Sequence, residues 1–261
     1  MSEPHVHHYV PQFYQRGFIA DNTKKIWAYE KEIPPRHRSV RSTGMQIDLY
    51  AIQDSKGNTD FATVEKELSR LENSAARLIQ RIKKREQMTQ NDRRLLCRFV
   101  SVMWRRTPKH ERKVKEIAKK LMPRVFEPVE QLDLTPAARL ELEQIRQHYS
   151  ENPPSFLFPQ HVLLRSEFEE VMYQMDWGFF EAHNSEFLTS DDPVMFSKGS
   201  GLGSPDAVIA FPLSKSLFLQ CMRKSSYGNA FYSLPAQHVQ YFNECTIKNA
   251  HKSVYGSGKS G

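Results

Sequence analysis

Two adjacent carboxylates lie in the stretch "FLTSDDPVMF" (residues 187–196), where Asp191 and Asp192 follow a strand-like run and precede a proline. A strand end that presents two carboxylates can hold Mg²⁺ or orient an attacking water, and a nearby histidine would complete a hydrolytic site. The same residue types also form Asx turns, in which Ser and Asp bond only local backbone. Asp191 and Asp192 are therefore candidate catalytic and Mg²⁺-binding groups, with a structural turn as the alternative.

The opening stretch "HVHHYVPQFYQRGF" (5–18) sets histidines and an arginine among aromatic residues. His7 and His8 are adjacent, so in a strand they point to opposite faces and are poor joint ligands for one metal ion. His8 is the candidate for a direct catalytic role, and a hydrogen-bonded structural histidine is the alternative. Arg16, between aromatic residues, could pair with a carboxylate or a phosphate.

A third stretch, "RFVSVMWRRTPKHER" (98–112), combines guanidinium groups with a flat ring. Such groups grip phosphates and stack on bases, which makes these residues candidates for substrate binding: Arg98, Trp104, Arg105 and Arg106. Arg105 and His110 also have the R-x4-H spacing of all-helical ribonucleases. That spacing is common by chance, and Pro108 interrupts it.

Positive charge is concentrated in one segment of the chain. The formal net charge is +7, but residues 77–124 hold 17 Lys or Arg and four Asp or Glu, a local net of +13 that leaves the rest at −6. A concentrated basic face attracts polyanions, so the expected partner is nucleic acid, as RNA or single-stranded DNA. The alternative is a solvated helical face, because Lys and Arg are good helix formers.

Several function classes have little support in the sequence. The chain has an odd number of cysteines, and each lies among apolar neighbours: Cys97, Cys221 and Cys245. This pattern favours reduced core cysteines over a disulfide or a zinc site. A G-x-S-x-G elbow and an H-E-x-x-H pair are both missing. No apolar run approaches the roughly 20 residues that span a bilayer, and the first residues do not form a secretion signal. We expect a cytoplasmic protein without a membrane partner.

The spacing of apolar residues predicts an α+β fold in one domain over residues 1–255. Residues 1–60 read as an N-terminal arm and hairpin, with strands in "KIWAYEK" and "MQIDLYAI" and irregular structure across the two prolines of "EIPPRHRSVRSTG". Residues 61–175 read as a helical region with a long first helix over about 61–87 and a break at Pro108. Residues 176–255 read as an antiparallel sheet closed by a helix over about 234–252, and 256–261 as a flexible tail.

Six segments, in order between residues 7 and 255, resemble the bacterial family of unknown function DUF4238: "HHYVPQFYQRGF", "EKELSRLENSAARLI", "WRRTP", "FLTSDDPV", "FPLS" and "FNECTIKNAHKSVY". Members of that family lie in prophage and satellite islands beside antiviral genes and are counted among single-gene phage-defence candidates. The resemblance therefore implies a role in phage defence, with growth arrest of the infected cell as one form of it.

The resemblance also marks individual positions. Gln15 stands where the family pattern has an aliphatic residue, and His110 is not part of that pattern, which weakens the R-x4-H interpretation. The positions that match the family motifs are His8, Tyr9, Pro11, Arg16, Glu72, Arg105, Pro108, Asp191, Asp192, Pro193 and Asn243.

Together these observations lead to the hypothesis of an antiphage nuclease that acts on nucleic acid, with Mg²⁺ as a possible cofactor and a phage component as its trigger. His8 and the two aspartates would carry the chemistry, and Arg16 and Arg105 would hold phosphate. This hypothesis requires side chains of the opening stretch to contact the "TSDDPV" turn, and both segments to face the basic helices. One alternative is a non-enzymatic module that binds nucleic acid or a phage protein. Another is an enzyme that modifies a nucleotide or NAD.

Overall fold

The computed structural model describes residues 5–20, 23–53, 56, 58–197, 201–223 and 230–258, and it confirms the α+β class. The first residues form a short strand, β1 (Val6–His8), which pairs antiparallel with β4 (Met45–Ile47). Between them lie α1 (Gln12–Gln15), a 3₁₀ turn (Arg16–Phe18), and the strands β2 (Lys25–Glu30) and β3 (Ile33–Ser39). A two-stranded ribbon, β5 (Ile52–Gln53) with β6 (Thr59–Asp60), completes this part.

The middle of the chain is helical, as its period predicts. Its helices are α2 (Thr63–Lys83), α3 (Gln90–Arg105), α4 (Pro108–Val125), α5 (Glu127–Glu130), α6 (Pro136–Glu151), α7 (Leu157–Leu163) and α8 (Glu167–Gln174).

Threonines set the starts of three of these helices. Thr89 caps α3 in a capping box with Asp92, while Thr107 and Thr135 cap α4 and α6, each with proline as the first helical residue. Proline is favoured there because its missing N–H would have no intrahelical partner. The predicted break at Pro108 is confirmed.

The last third contains a five-stranded sheet of order β12-β7-β11-β10-β9. Its strands are β7 (Asp176–Ala182), β9 (Met195–Phe196), β10 (Val208–Ser214), β11 (Leu217–Met222) and β12 (Ala230–Leu234). The sheet is antiparallel as predicted except at one edge, where β12 runs parallel to β7.

Both faces of this sheet are buried. Trp177 and Phe179 of β7 pack into the large core against the helices, whereas Phe180 and Ala182 pack on the other face against α9 (Ala236–Asn249). Alternate residues of a strand point to opposite faces, so a run of aromatics suits a strand between two helical layers. The predicted closing helix is α9.

A second sheet, of order β3-β2-β13-β8, joins the two ends of the chain. It contains β8 (Thr189–Ser190) and a last strand, β13 (Ser253–Gly256), which pairs with both β2 and β8. The expectation that the paired prolines exclude regular structure is wrong, because β3 runs through Pro34 and Pro35. Proline is tolerated there because β3 is an edge strand with an irregular register opposite Ala28 and Glu30.

The chain remains ordered past the predicted start of its tail. Gly256 ends β13, Ser257 is buried, and Gly258 packs against the ring of Trp27. The other residues of the predicted tail, 259–261, lie outside the described residues. Among the described helices, none has the length and apolar character needed to cross a membrane.

Candidate functional site

Asp191 fastens the "TSDDPV" turn to the segment that leads into β13. Its Oδ1 accepts the amide N–H of His251 and its Oδ2 accepts that of Lys252, both at 2.8 Å. Burial raises the pKa of this carboxyl, and the amide hydrogen bonds oppose that rise. The carboxylate therefore fixes the backbone on which His251 is carried.

Asp192 fastens the same turn to the first turn of α4. Its Oδ2 lies 2.5 Å from Nζ of Lys109, and its carbonyl accepts a hydrogen bond from the side chain of Asn249. Burial raises the pKa of Asp192, whereas Lys109 lowers it. The turn, the helix and the end of α9 are thereby held in one arrangement.

A cavity of about 280 Å³ opens where these segments meet. It lies between the opening motif, strand β4, the start of α4, and the segment between α9 and β13. Its lining consists of Tyr9, Met45, Gln46, Thr107, Pro108, Lys109, Arg112, Asp191, His251 and Lys252.

Tyr9 brings the opening motif to this cavity. Burial raises the pKa of its hydroxyl, and the nearby Tyr255 and Asp191 raise it further. The hydroxyl thus stays protonated at neutral pH. No hydrogen bond of this hydroxyl to any described residue occurs, so it is available as a donor to a bound molecule.

His251 and Arg112 form the second polar pair of the cavity. Nη2 of Arg112 lies 2.6 Å from Nε2 of His251. Because a guanidinium only donates, Nε2 must accept, and the ring proton is then on Nδ1. Burial and the neighbouring Arg112 lower the pKa of His251, while Asp191 opposes this. The imidazole is therefore neutral at pH 7, the form that can act as a base.

The electrostatics of the cavity favour an anion. Three cationic side chains line it, Lys109, Arg112 and Lys252. Lys109 is paired with Asp192, and both oxygens of Asp191, the one carboxylate of the lining, accept amide hydrogens. Arg112 and Lys252 are therefore the lining cations without an ion-pair partner among the described residues. Thr107 and Pro108 also place the positive end of the 18-residue helix α4 at the cavity. A phosphate group fits this combination of charge and donors.

The match to a known family covers almost the same residues as the fold. The family model described as "Protein of unknown function (DUF4238)" matches residues 6–260. The chain belongs to this family. No curated protein and no solved structure matches it. The predicted resemblance is confirmed, and the name assigns no chemistry to the DUF4238 chain.

In the DUF4238 chain the opening stretch contacts the "TSDDPV" turn through Tyr14, whose hydroxyl lies 2.7 Å from Oγ1 of Thr189. Tyr9 lines the cavity together with Asp191, whereas His8 does not line it. Nε2 of His8 lies 3.1 Å from the carbonyl oxygen of Arg41, and burial lowers its pKa. The neighbouring His7 is buried and accepts the amide N–H of Tyr50. The two histidines thus occupy opposite faces of β1, as their adjacency predicts.

Arg98 and Arg105 point at the end of α7. Arg105 donates to the carbonyl oxygens of His161 and Leu164, both at 2.6 Å. Arg98 donates to Leu164 at 2.7 Å and to the carboxylate of Glu169 at 2.8 Å. A helix leaves its last carbonyls without intrahelical partners, so the two guanidinium groups cap α7.

Arg106 is only 1% exposed and joins three of the family segments. It pairs with Glu72 of α2 at 2.7 Å, donates to the carbonyl of His8, and contacts the hydroxyl of Tyr50. Arg98, Arg105 and Arg106 do not line the cavity, and their Nη groups donate to protein acceptors, while the buried Nε of Arg105 has no hydrogen-bond partner among the described residues.

The other two predicted substrate-binding residues also lie outside the cavity. Trp104 packs its ring against His110, Phe168 and Phe196. Arg16 is exposed, donates to Gln12, and lines a separate cleft.

A Mg²⁺ ion would meet an unfavourable donor set at the two aspartates. Both oxygens of Asp191 accept amide hydrogens, and Asp192 pairs with Lys109. Among the described residues, no group of three or more His, Cys, Asp or Glu is arranged to hold a metal ion. Lys109, Arg112 and Lys252 around the cavity add repulsion.

Sequence reasoning missed His251, Lys109 and Arg112. His251 lies within the "FNECTIKNAHKSVY" segment that carries the resemblance, and the two cations lie within the predicted basic segment. Each was visible as part of a motif. Their convergence with Tyr9 depends on contacts between residues far apart in the chain.

Proposed function

We propose that the DUF4238 chain binds nucleic acid and cleaves a phosphodiester of RNA or single-stranded DNA in the cavity between Tyr9, Arg112 and His251. The observation that carries the proposal is the 2.6 Å contact of Arg112 with His251, which sets a neutral imidazole beside a phosphate-binding group. A scissile phosphate needs both groups within one side-chain length.

In the proposed reaction an incoming phosphate attracts Arg112, and Nε2 of His251 becomes free. Nε2 then takes the proton from the attacking hydroxyl or water as its oxygen bonds to phosphorus. The bond from phosphorus to the leaving oxygen breaks, and that oxygen recovers a proton from the imidazolium or from solvent. Lys109 and Arg112 stabilise the negative charge that develops on the phosphate oxygens.

Tyr9 has a donor role in this scheme. Its hydroxyl is protonated at neutral pH because burial raises its pKa, so it donates a hydrogen bond to a phosphate oxygen. Asp191 and Asp192 are positioning residues in this scheme. They hold His251 and Lys109 in place and do not touch the reacting atoms.

The proposed biological setting is defence against phage inside the bacterial cell, which rests on what the family resemblance implies. A plaque assay tests it: cells that express the chain should restrict a phage panel, and cells that express His251→Gln should not. Equal plaquing efficiency with both versions would contradict a defence role for this cavity.

The biochemical test incubates the pure protein with labelled tRNA, single-stranded DNA and NAD, each with and without Mg²⁺. We expect the wild-type protein to cleave a nucleic acid. His251→Gln should abolish this cleavage, and EDTA should leave the rate of cleavage unchanged. His148→Gln is the matched control, because His148 is an exposed histidine on α6. Activity that requires Mg²⁺ and survives in His251→Gln would overturn the proposed mechanism.

A non-enzymatic module is the second candidate, and the structural roles of several predicted site residues favour it. Asp191, Arg105 and Arg106 all have partners within the protein. In this alternative the cavity holds a phosphate without turnover. Binding of an oligonucleotide that Arg112→Ala weakens, with no cleavage of any substrate in the panel, would favour the module over the nuclease.

A further inference from the structure

We propose a second anion site, in a cleft between the opening motif, helix α2 and the turn that joins β10 to β11, and we assign it to the phosphate groups of a nucleotide. The cleft measures about 590 Å³ and shares no lining residue with the cavity around His251.

The charge of this lining has one sign. Arg16, Arg77, Lys83 and Lys215 contribute four cations, and no acidic residue lines the cleft. Lys215 pairs with Glu186 at 3.3 Å. Arg16 and Arg77 donate to neutral partners, Gln12 and Ser74.

The cations from the opening motif and α2 are not neutralised by the protein itself. In the described part of the chain, no carboxylate lies within ion-pair distance of Arg16, Arg77 or Lys83. Like charges that converge on one cleft repel each other, so a bound anion would relieve an unfavourable arrangement. Two guanidinium groups also supply the paired donors that suit phosphate oxygens.

The base of the cleft is apolar. Of its apolar lining residues, Ile79 and Leu213 are buried and Phe13 and Ala76 are half-buried, whereas Arg16, Arg77 and Lys83 are exposed and form a cationic rim. A flat nucleobase gains from contact with such an apolar surface. A cleft of this volume falls in the range that small-molecule ligands occupy. Cationic rim and apolar base together fit a nucleotide better than an inorganic anion.

The walls of the cleft are fixed to each other. The amide of Lys215 donates to the carbonyl of Gly17 at 2.9 Å. The buried hydroxyl of Tyr14 donates to the carbonyl of Pro212 at 2.7 Å and lies 2.7 Å from Oγ1 of Thr189. The opening motif and the β10–β11 turn therefore form one preorganised frame, which lowers the cost of binding.

The same chemistry could belong to a free nucleotide or to a nucleotide within a strand that also reaches His251. Fluorescence anisotropy with two probes separates these sources: a fluorescent ATP analogue and a 12-residue single-stranded oligonucleotide labelled at its 5′ end. Reversal of one charge in the cleft should weaken binding of the occupying probe at least tenfold. The variants are Arg16→Glu and Arg77→Glu.

Lys66→Glu is the matched control, because Lys66 is an exposed cation on the same helix α2 and does not line the cleft. His251→Gln should keep its affinity for the ATP analogue, which separates this site from the proposed nuclease cavity. If Arg16→Glu and Arg77→Glu weaken binding of the ATP analogue, the ligand of the cleft is a free nucleotide. If they weaken binding of the oligonucleotide alone, the ligand is a nucleotide within a strand. The site is refuted if neither probe binds, or if Arg16→Glu and Arg77→Glu bind like Lys66→Glu while all variants keep the wild-type melting temperature.

Discussion

Arg112 and His251 are 139 positions apart in the chain, yet Nη2 of the first lies 2.6 Å from Nε2 of the second. The contact joins the first turns of the basic helix α4 to the segment between α9 and β13. The carboxylate of Asp191 holds that segment in place by accepting hydrogen bonds from the amides of His251 and Lys252. This relationship turns two separate sequence motifs into one cavity, and it leads to the first prediction.

Arg112→Ala should raise the pKa of His251. The guanidinium lowers that pKa as a neighbouring positive charge, so its removal returns the imidazole towards the ordinary value of 6.5. A histidine titration by NMR measures the change, with the signal assigned by its loss in His251→Gln. An unchanged or lower pKa would show that the contact is not made in solution.

Asp191→Asn should destabilise the protein by about 1–3 kcal/mol. Asparagine keeps one acceptor but turns an amide NH₂ towards a backbone N–H, which leaves a buried donor without a partner. Urea unfolding measures the loss, and Asp133→Asn serves as the control because Asp133 is exposed. A variant with wild-type stability and no activity would instead assign the carboxylate to the chemistry.

Arg106→Met should cost about 3–5 kcal/mol of stability, because it leaves the partly buried carboxylate of Glu72 without its cation. Affinity for nucleic acid, measured on the folded fraction, should not change, since Arg106 does not line the cavity. Arg124→Met on α4 is the control for loss of one positive charge. A stable Arg106→Met variant with weakened binding would restore Arg106 as a substrate-binding residue.

The pair His110–His161 should make stability depend on pH. The ring nitrogens lie 3.0 Å apart, and burial, together with His161 and the cations Lys113 and Arg105, lowers the pKa of His110 to about 4. Between pH 6.5 and 4 the unfolded chain binds a proton that the folded chain does not. The stabilising contribution is therefore complete above pH 6.5 and is lost as pH falls towards 4.

We expect this loss to be about 1–2 kcal/mol, after allowance for the partial exposure of the ring. Unfolding free energies of wild type and His110→Asn, measured at pH 7.5 and pH 4.5, isolate it from the other titrating groups. The difference between the two proteins should shrink at the lower pH. An equal difference at both values would refute a depressed pKa at His110.

Local sequence was sufficient for the long first helix and for the break at Pro108. The apolar period of Val64, Leu68, Ala75 and Leu78 predicts α2, and these residues are buried in it. The break predicted at Pro108 is the start of α4, and the pair Thr135–Pro136 predicts the start of α6. These features were readable because a helix depends on spacing and capping within a few residues.

Local sequence could not decide which neighbours of a motif face the site. His8 and Tyr9 are adjacent, but the pairing of β1 with β4 and the chain path after it bring Tyr9 to the cavity. Register and chain path are set by residues about forty positions away. Likewise, β3 can accommodate two prolines because it lies at a sheet edge, and sheet order is a nonlocal property.

The sequence by itself determined the α+β class, the helices and the basic segment, because composition and periodicity act over short distances. Only the tertiary structure decided which of the many cations are free for a ligand. Arg98, Arg105 and Arg106 cap a helix end or pair with Glu72, and Lys109 pairs with Asp192. Arg16 and Arg112, in contrast, have no carboxylate partner among the described residues and line open cavities. The physical reason is that a guanidinium goes to the strongest acceptors within reach, and folding sets which acceptors those are.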